Sequence, residues 1–496
     1  MRDLLKRLTR MVIGYGAVQW AGPFLSLIFT PIITRALTPA DYGVADYLLT
    51  MVSALSTLAL IALPQALLTH FNDQPETLAW QRAVVGSAYT IAATSGLIFG
   101  VLLFLFAPTL TLYLPILGPY TDLVRLIAIT FVFGLTGSIL TTASQAALRV
   151  RWGMVYSLAS IVGTVTGNIF FIVVLRLGVT GMILTPIVTG VAVWVAGMML
   201  ARGLIGRPSP AVASILLRSG LVLLPTMMAA WVLQVSDRLF LGQYVTETQL
   251  GYYAIANRMA SLVGVAMTPI YAAWQPLALA VQNQAGAMER YVAMSRYLIA
   301  TVLMVGLAIG LYATEILMVL TRPAYLPAAP YVGFLAYIYV FSGFGAVFTI
   351  GAMMGKKLGA ISVAVVVGAV TNIALNLLLI PRFGIWGATT ATVIGYAVPQ
   401  VVLFGWLARH YPIPYPIGRL MAGLGIQFIL QMGGLLVPAI FFPIRILIKL
   451  GILAILPLSF VILNIITQNE IVTASRFTRK QLRLGWTKIS YLGRDS

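Results

Sequence analysis

The side chains able to do chemistry in this sequence are few, and the sharpest is a cation. Arg258 lies about nine residues into an apolar segment at 249–281. At ~1.5 Å of rise per residue, that is roughly 13 Å along a helix. A charge that deep in a bilayer is costly and marks a functional candidate by default. No carboxylate stands three or four residues away on the same segment. Two readings are open: a structural partner for a carboxylate or for helix carbonyls, or a cation facing a water-filled cavity that receives an anion. Arg35, Arg125 and Arg238 lie nearer a membrane boundary, where snorkelling explains them as well as binding does. Asp122 and Arg125 are three apart and can pair on one helix face. Asp237 and Arg238 are adjacent and point apart, so each requires a partner elsewhere. Asp46, Asp237 and Glu315 can carry a coupling proton if buried, the alternative being solvated boundary carboxylates. Gln19, Gln234 and Asn257 are cavity candidates, with interhelical hydrogen bonding as the default.

Other chemistries find no support. There is no cysteine, so disulfides, thiol catalysis and thiolate metal sites are excluded. There is no HExxH, no Walker loop ending in GK[ST] and no GxSxG elbow. An ATP-driven pump is therefore excluded within the chain, and no cofactor or metal is expected. The 12 acidic residues place no pair in a sizeable loop, which disfavours a membrane enzyme of glycan assembly.

The elements that must position these residues are membrane helices. The sequence is 60% hydrophobic and 9% charged, whereas soluble chains carry about 25% charged residues. Fourteen apolar segments lie near 11–34, 42–70, 82–107, 121–148, 154–176, 180–203, 215–240, 249–281, 291–315, 326–354, 358–380, 384–408, 418–440 and 446–466, joined by short loops. The expected fold is all-α and integral to the membrane. The basic N-terminus reads as a retained first helix, because no small-residue cleavage site follows it.

The net charge of +19 would suggest nucleic acid in a soluble protein, but here membrane topology explains it first. With the N-terminus in the cytoplasm, twenty-two basic residues fall on that side and eight on the other, with Arg258 inside a span. The bias places both termini in the cytoplasm.

An internal repeat organises the segments. The run PIITRALTPADYGVADYLLT at 31–50 ends one helix at Thr38-Pro39 and offers Asp41 as a cap for the next. About 208 residues later, Thr246 matches Thr38 and Gly251 matches Gly43. Arg176-Leu-Gly-Val-Thr-Gly181 likewise matches Arg382-Phe-Gly-Ile-Trp-Gly387. Segments 1–6 thus repeat as 7–12, in parallel, about an axis along the membrane normal. The expected division is an N-terminal lobe at 1–206, a C-terminal lobe at 207–412, two further helices at 413–469 and a basic cytoplasmic tail at 470–496. That tail reads as an anchor on anionic lipid or a partner-binding helix.

The stretches PIITRALTPADYGVADYLL, SDRLFLGQYVTETQLGYYAIANRMA and FGIWGATTATVIGYAV resemble the Wzx-type polysaccharide and O-antigen flippases of the MOP exporter superfamily. The resemblance covers segments 1–12. It implies a MATE-like transporter in two lobes, in the bacterial inner membrane, moving an undecaprenyl-pyrophosphate-linked oligosaccharide outward for surface polysaccharide or lipopolysaccharide synthesis. It also implies a cationic cavity, coupling to H+ or Na+, and a polysaccharide polymerase as a partner. Within that resemblance, Arg258 fits the pyrophosphate-binding cation. The competing readings are a lipid II-type flippase and a MATE-like multidrug exporter. Organic cations would favour acidic pockets, which the lone deep cation argues against.

Overall fold

The computed structural model describes residues 29–73, 78–147, 150–201, 203–281, 286–355, 357–437 and 441–466. Gln19, most of the first segment and the basic tail lie outside them. Among the described residues there are helices and no strands. After the end of a first helix at 29–36 come α1 (Pro39–Leu60), α2 (Leu63–His70), α3 (Leu78–Tyr113), α4 (Thr121–Ala146), α5 (Val150–Asn168) and α6 (Gly178–Ala201). Then follow α7 (Pro210–Tyr244), α8 (Glu247–Ala260), α9 (Leu262–Val281), α10 (Ala287–Leu311) and α11 (Ala313–Leu320). The last are α12 (Ala329–Met354), α13 (Leu358–Phe383), α14 (Ile385–His410), α15 (Ile417–Leu435) and α16 (Phe442–Ile462).

Among the described residues, eleven stretches are long and apolar enough to cross a membrane. They carry Leu97, Phe104, Phe106 and Leu112 exposed on the outside, which suits hydrocarbon and would drive aggregation in water. The chain is a multi-pass membrane protein.

Three of the sequence segments are each two helices. Segment 42–70 divides at Ile61 and Ala62, both left-handed at φ 49 and 51. Pro64, in the first turn of α2, has no N–H to continue the α1 ladder. Segment 249–281 divides at Ser261, and segment 291–315 at Tyr312. These last two breaks follow the packing. α8 belongs to an apolar cluster that includes Ile33, Tyr42, Leu48, Leu250, Tyr253 and Tyr325. α9 belongs to another, with Val263, Trp274, Leu303, Phe344 and Leu456.

The start of α1 is a reciprocal cap, and Asp41 is its second half rather than its first. Thr38 Oγ1 accepts from the Asp41 N–H at 3.2 Å, and Asp41 Oδ2 accepts from the Thr38 N–H at 3.2 Å. Pro39 is the first residue of the new helix, where a missing N–H costs nothing. α8 begins the same way. Thr246 Oγ1 accepts from the Gln249 N–H at 3.3 Å, and Gln249 Oε1 accepts from the Thr246 N–H at 3.1 Å. Two free N–H groups are satisfied at each helix start.

Candidate functional site

α1 and α8 cross at the two matched glycines. A methyl added to Gly251 would fall on the Pro39 carbonyl, and one added to Gly43 on the carbonyl of Glu247. Only a residue without Cβ lets the backbones meet there. Around the crossing, Tyr325 Oη donates to the Leu37 carbonyl at 3.2 Å, and Thr34 Oγ1 donates to that of Leu320 at 3.1 Å. The Tyr42 and Tyr325 rings meet edge-on at 6.3 Å. The two parts of the chain are thus sealed together at this end of the molecule.

Further along α1, a buried charge network ties four helices. Asp46 Oδ2 lies 2.7 Å from Arg238 Nε, joining α1 to α7. Arg238 Nη1 also lies 3.9 Å from Asp237 Oδ1 and donates to the Gln234 carbonyl at 3.4 Å. Asp237 is 1% exposed and turns chiefly elsewhere. It accepts from Tyr253 Oη on α8 and, at 2.9 Å, from Thr392 Oγ1 on α14. The adjacent Ser236 donates to Asn372 Oδ1 at 3.1 Å, and Asn376 Nδ2 donates to the same oxygen at 3.0 Å. Two carboxylates therefore share one guanidinium, and Asp237 faces mainly neutral donors. The arrangement has room, in charge, for one more cation or proton.

Arg258 reaches back to the first part of the chain. Its Nη1 donates to Tyr42 Oη at 3.0 Å. It lines a cavity of about 220 Å³ with Phe29, Ile33, Ser160, Thr164 and Asn168. Asn257 is half-buried beside it. A second cavity, of about 250 Å³, shares Ser160 and Thr164 and adds Ser138, Thr141 and Thr189. The guanidinium thus stands at one end of a hydroxyl-lined wall. The sequence reading missed that wall, although Ser160, Thr164 and Asn168 stand at four-residue spacing on one face of α5. α5 and the π-helical turn after it are also the least buried of the spanning stretches.

The structure places Asp46, Asp237, Arg238, Arg258 and Asn257, together with the Gln234 backbone, around the meeting of α1, α7 and α8. Three other residues lie elsewhere. Arg125 pairs with Asp122 at 3.3 Å, sits 5.6 Å from the Phe104 ring centre, and faces an apolar groove between α3 and α4. Glu315 is held by Arg445 Nε at 2.9 Å and by Lys449 Nζ at 2.8 Å, which pins α11 to α16. Arg35 lines a separate cavity beside the crossing.

A family profile described as polysaccharide biosynthesis protein matches residues 32–330. The chain belongs to this family. The matched residues contain Asp46, Asp237, Arg238 and Arg258, whereas Asn372, Asn376 and Thr392 lie beyond them. A curated relative, an uncharacterized membrane protein of Methanocaldococcus jannaschii, is 33% identical over 117 residues, or 23% of each chain. Among solved structures, the chain is similar to the lipid II flippase MurJ in an inward closed conformation. The TM-score is 0.66 at 13% identity, over 91% of this chain and 98% of that one. It is similar to an inward-facing multidrug resistance MATE transporter of the MOP superfamily, with TM-score 0.59 at 15% identity, over 80% and 97%. A MATE transporter of Vibrio cholerae gives 0.53 at 13% identity, over 83% and 99%. At such identities the likeness is one of fold, and the fold is the one shared by these transporters.

Proposed function

We propose that the protein is a flippase, not an enzyme, and that it moves an undecaprenyl-pyrophosphate-linked oligosaccharide across the bacterial inner membrane. The observation that carries this reading is Arg258, a cation at the end of a cavity walled by serine and threonine hydroxyls. A pyrophosphate cannot enter hydrocarbon unaided, and the planar guanidinium fork matches its oxygens. The hydroxyls suit a sugar chain, and the prenyl tail stays in lipid. The α1–α8 crossing is the outer seal, and both termini are cytoplasmic, as the basic bias favours. Transport then requires the crossing to part while 1–206 and 207–412 rock as two lobes.

Coupling falls on Asp46, Arg238 and Asp237. Asp237 takes up H+ or Na+, and this leaves Asp46 as the anion that Arg238 faces, tightening α1 onto α7. Glu315, held by two cations, serves as a structural pin, and Arg125 as a boundary anchor.

The test is glycan export in a flippase-null strain. Arg258→Ala should abolish export at normal protein levels, and Arg258→Lys should retain part of it, because charge survives while the fork is lost. Wild-type export by Arg258→Ala would overturn the reading.

A further inference from the structure

Beside the sealed crossing, three arginines from separate elements face one cavity of about 660 Å³. Arg35 ends the first helix, Arg176 lies in the turn between α5 and α6, and Arg322 lies between α11 and α12. Asp41 is the one carboxylate among the lining residues, and its Oδ2 already accepts from the Thr38 N–H and hydroxyl. Among the described residues, none of the three arginines forms an ion pair.

The local backbone is unusual. A π-helical turn over Ile169–Val174 leads into Arg176, which is left-handed at φ 53, with Gly178 at φ 57 just after it. π turns recur at functional sites, and a non-glycine residue with positive φ persists only where its surroundings hold it. Topology adds a further point. These are three of only eight basic residues on the side that the positive-inside bias leaves sparse.

We propose that this cavity is a second anion site, one that takes a phosphate group and whose occupancy holds this end of the protein shut. Arg35 and Arg176 precede residue 207 and Arg322 follows it, so a bound phosphate bridges the two parts of the chain that must separate. Each guanidinium can offer two parallel N–H donors to phosphate oxygens. A ligand bound only by the closed form shifts the population toward it. The phosphate is either free in solution or carried by the head group of an anionic phospholipid. The proposal holds whether or not the cargo is a lipid-linked glycan.

The test uses the full chain in nanodiscs and follows maleimide labelling of Leu37→Cys, since Leu37 is 1% exposed within the seal. Ala328→Cys, buried at the same end, gives a second reporter should the first fail to fold. With inorganic phosphate at ten times its Kd, labelling should slow about elevenfold if only the closed form binds. Slowing in phosphatidylglycerol discs relative to phosphatidylcholine discs, with no effect of inorganic phosphate, assigns the head group instead. In either case Arg176→Asn combined with Arg322→Gln should remove the protection, asparagine being tolerant of the left-handed backbone. Labelling that ignores both probes, or that slows equally in the double variant, overturns the proposal.

Discussion

Arg238 serves two carboxylates, and this makes it the most sensitive single residue in the network. Removing one partner of a buried ion pair leaves the other charge uncompensated, at a cost of about 3–5 kcal/mol. Arg238→Ala strands both Asp46 and Asp237 and should therefore lose about that much, read as a drop in the thermal unfolding midpoint. Asp46→Asn leaves Arg238 with Asp237 at 3.9 Å and should cost less. Asp237→Asn should flatten the dependence of transport on pH or Na+ in proteoliposomes. Glu315→Gln should instead lower stability, because Arg445 and Lys449 lose their shared anion, and should leave the ion dependence unchanged. Equal loss of ion dependence in both amide variants would refute this division of roles. Arg258 was legible in the sequence, because a charge inside an apolar run stands out. The hydroxyl wall was not. Serine and threonine in a helix usually satisfy themselves on the preceding turn, as Thr166 does on the Val162 carbonyl at 2.7 Å. Nothing in their type tells a wall residue from one that faces lipid, and Thr141 in the wall bonds the Gly137 carbonyl at 2.9 Å in the same way.

At the scale of elements, the α1–α8 crossing decides whether the outer end closes. Gly43→Ala or Gly251→Ala puts a methyl into the facing backbone, so the helices must separate. Each variant should speed maleimide labelling of Leu37→Cys. The double variant should show less than the product of the two effects, because both substitutions push apart one contact. Effects that simply multiply would show that the two glycines act independently. Hydropathy placed the apolar segments and the matching threonines marked the repeat, but the sequence points to Asp41 as the cap of α1, whereas Thr38 caps it and Asp41 reciprocates. The breaks were harder to read. Pro64 signals an interruption, but the left-handed turn falls on a β-branched Ile61 and on Ala62, residue types that rarely adopt it. At Ser261 and Tyr312 neither proline nor glycine marks the spot. Those breaks come from tertiary packing, which no local pattern encodes.

For the whole molecule, the expected topology has both termini in the cytoplasm. Cysteines introduced into this cysteine-free chain near residue 356 should resist impermeant reagents in intact cells, and cysteines near Arg322 should react. The reverse pattern would invert the orientation. The cross-chain ion pair also bears on how the protein is made. Asp46 emerges from the ribosome 192 residues before Arg238 (238 − 46). At about 5–20 residues per second, that interval is roughly ten to forty seconds. Throughout it α1 sits in the membrane with Gly43 facing no partner helix and Asp46 lacking its counter-charge. Assembly therefore depends on the nascent chain surviving the wait. Pulse-chase labelling should show the Arg238→Ala chain degraded after that window closes, when the wild-type chain has gained its counter-charge and survives, a fate decided by membrane proteases before any cargo is met.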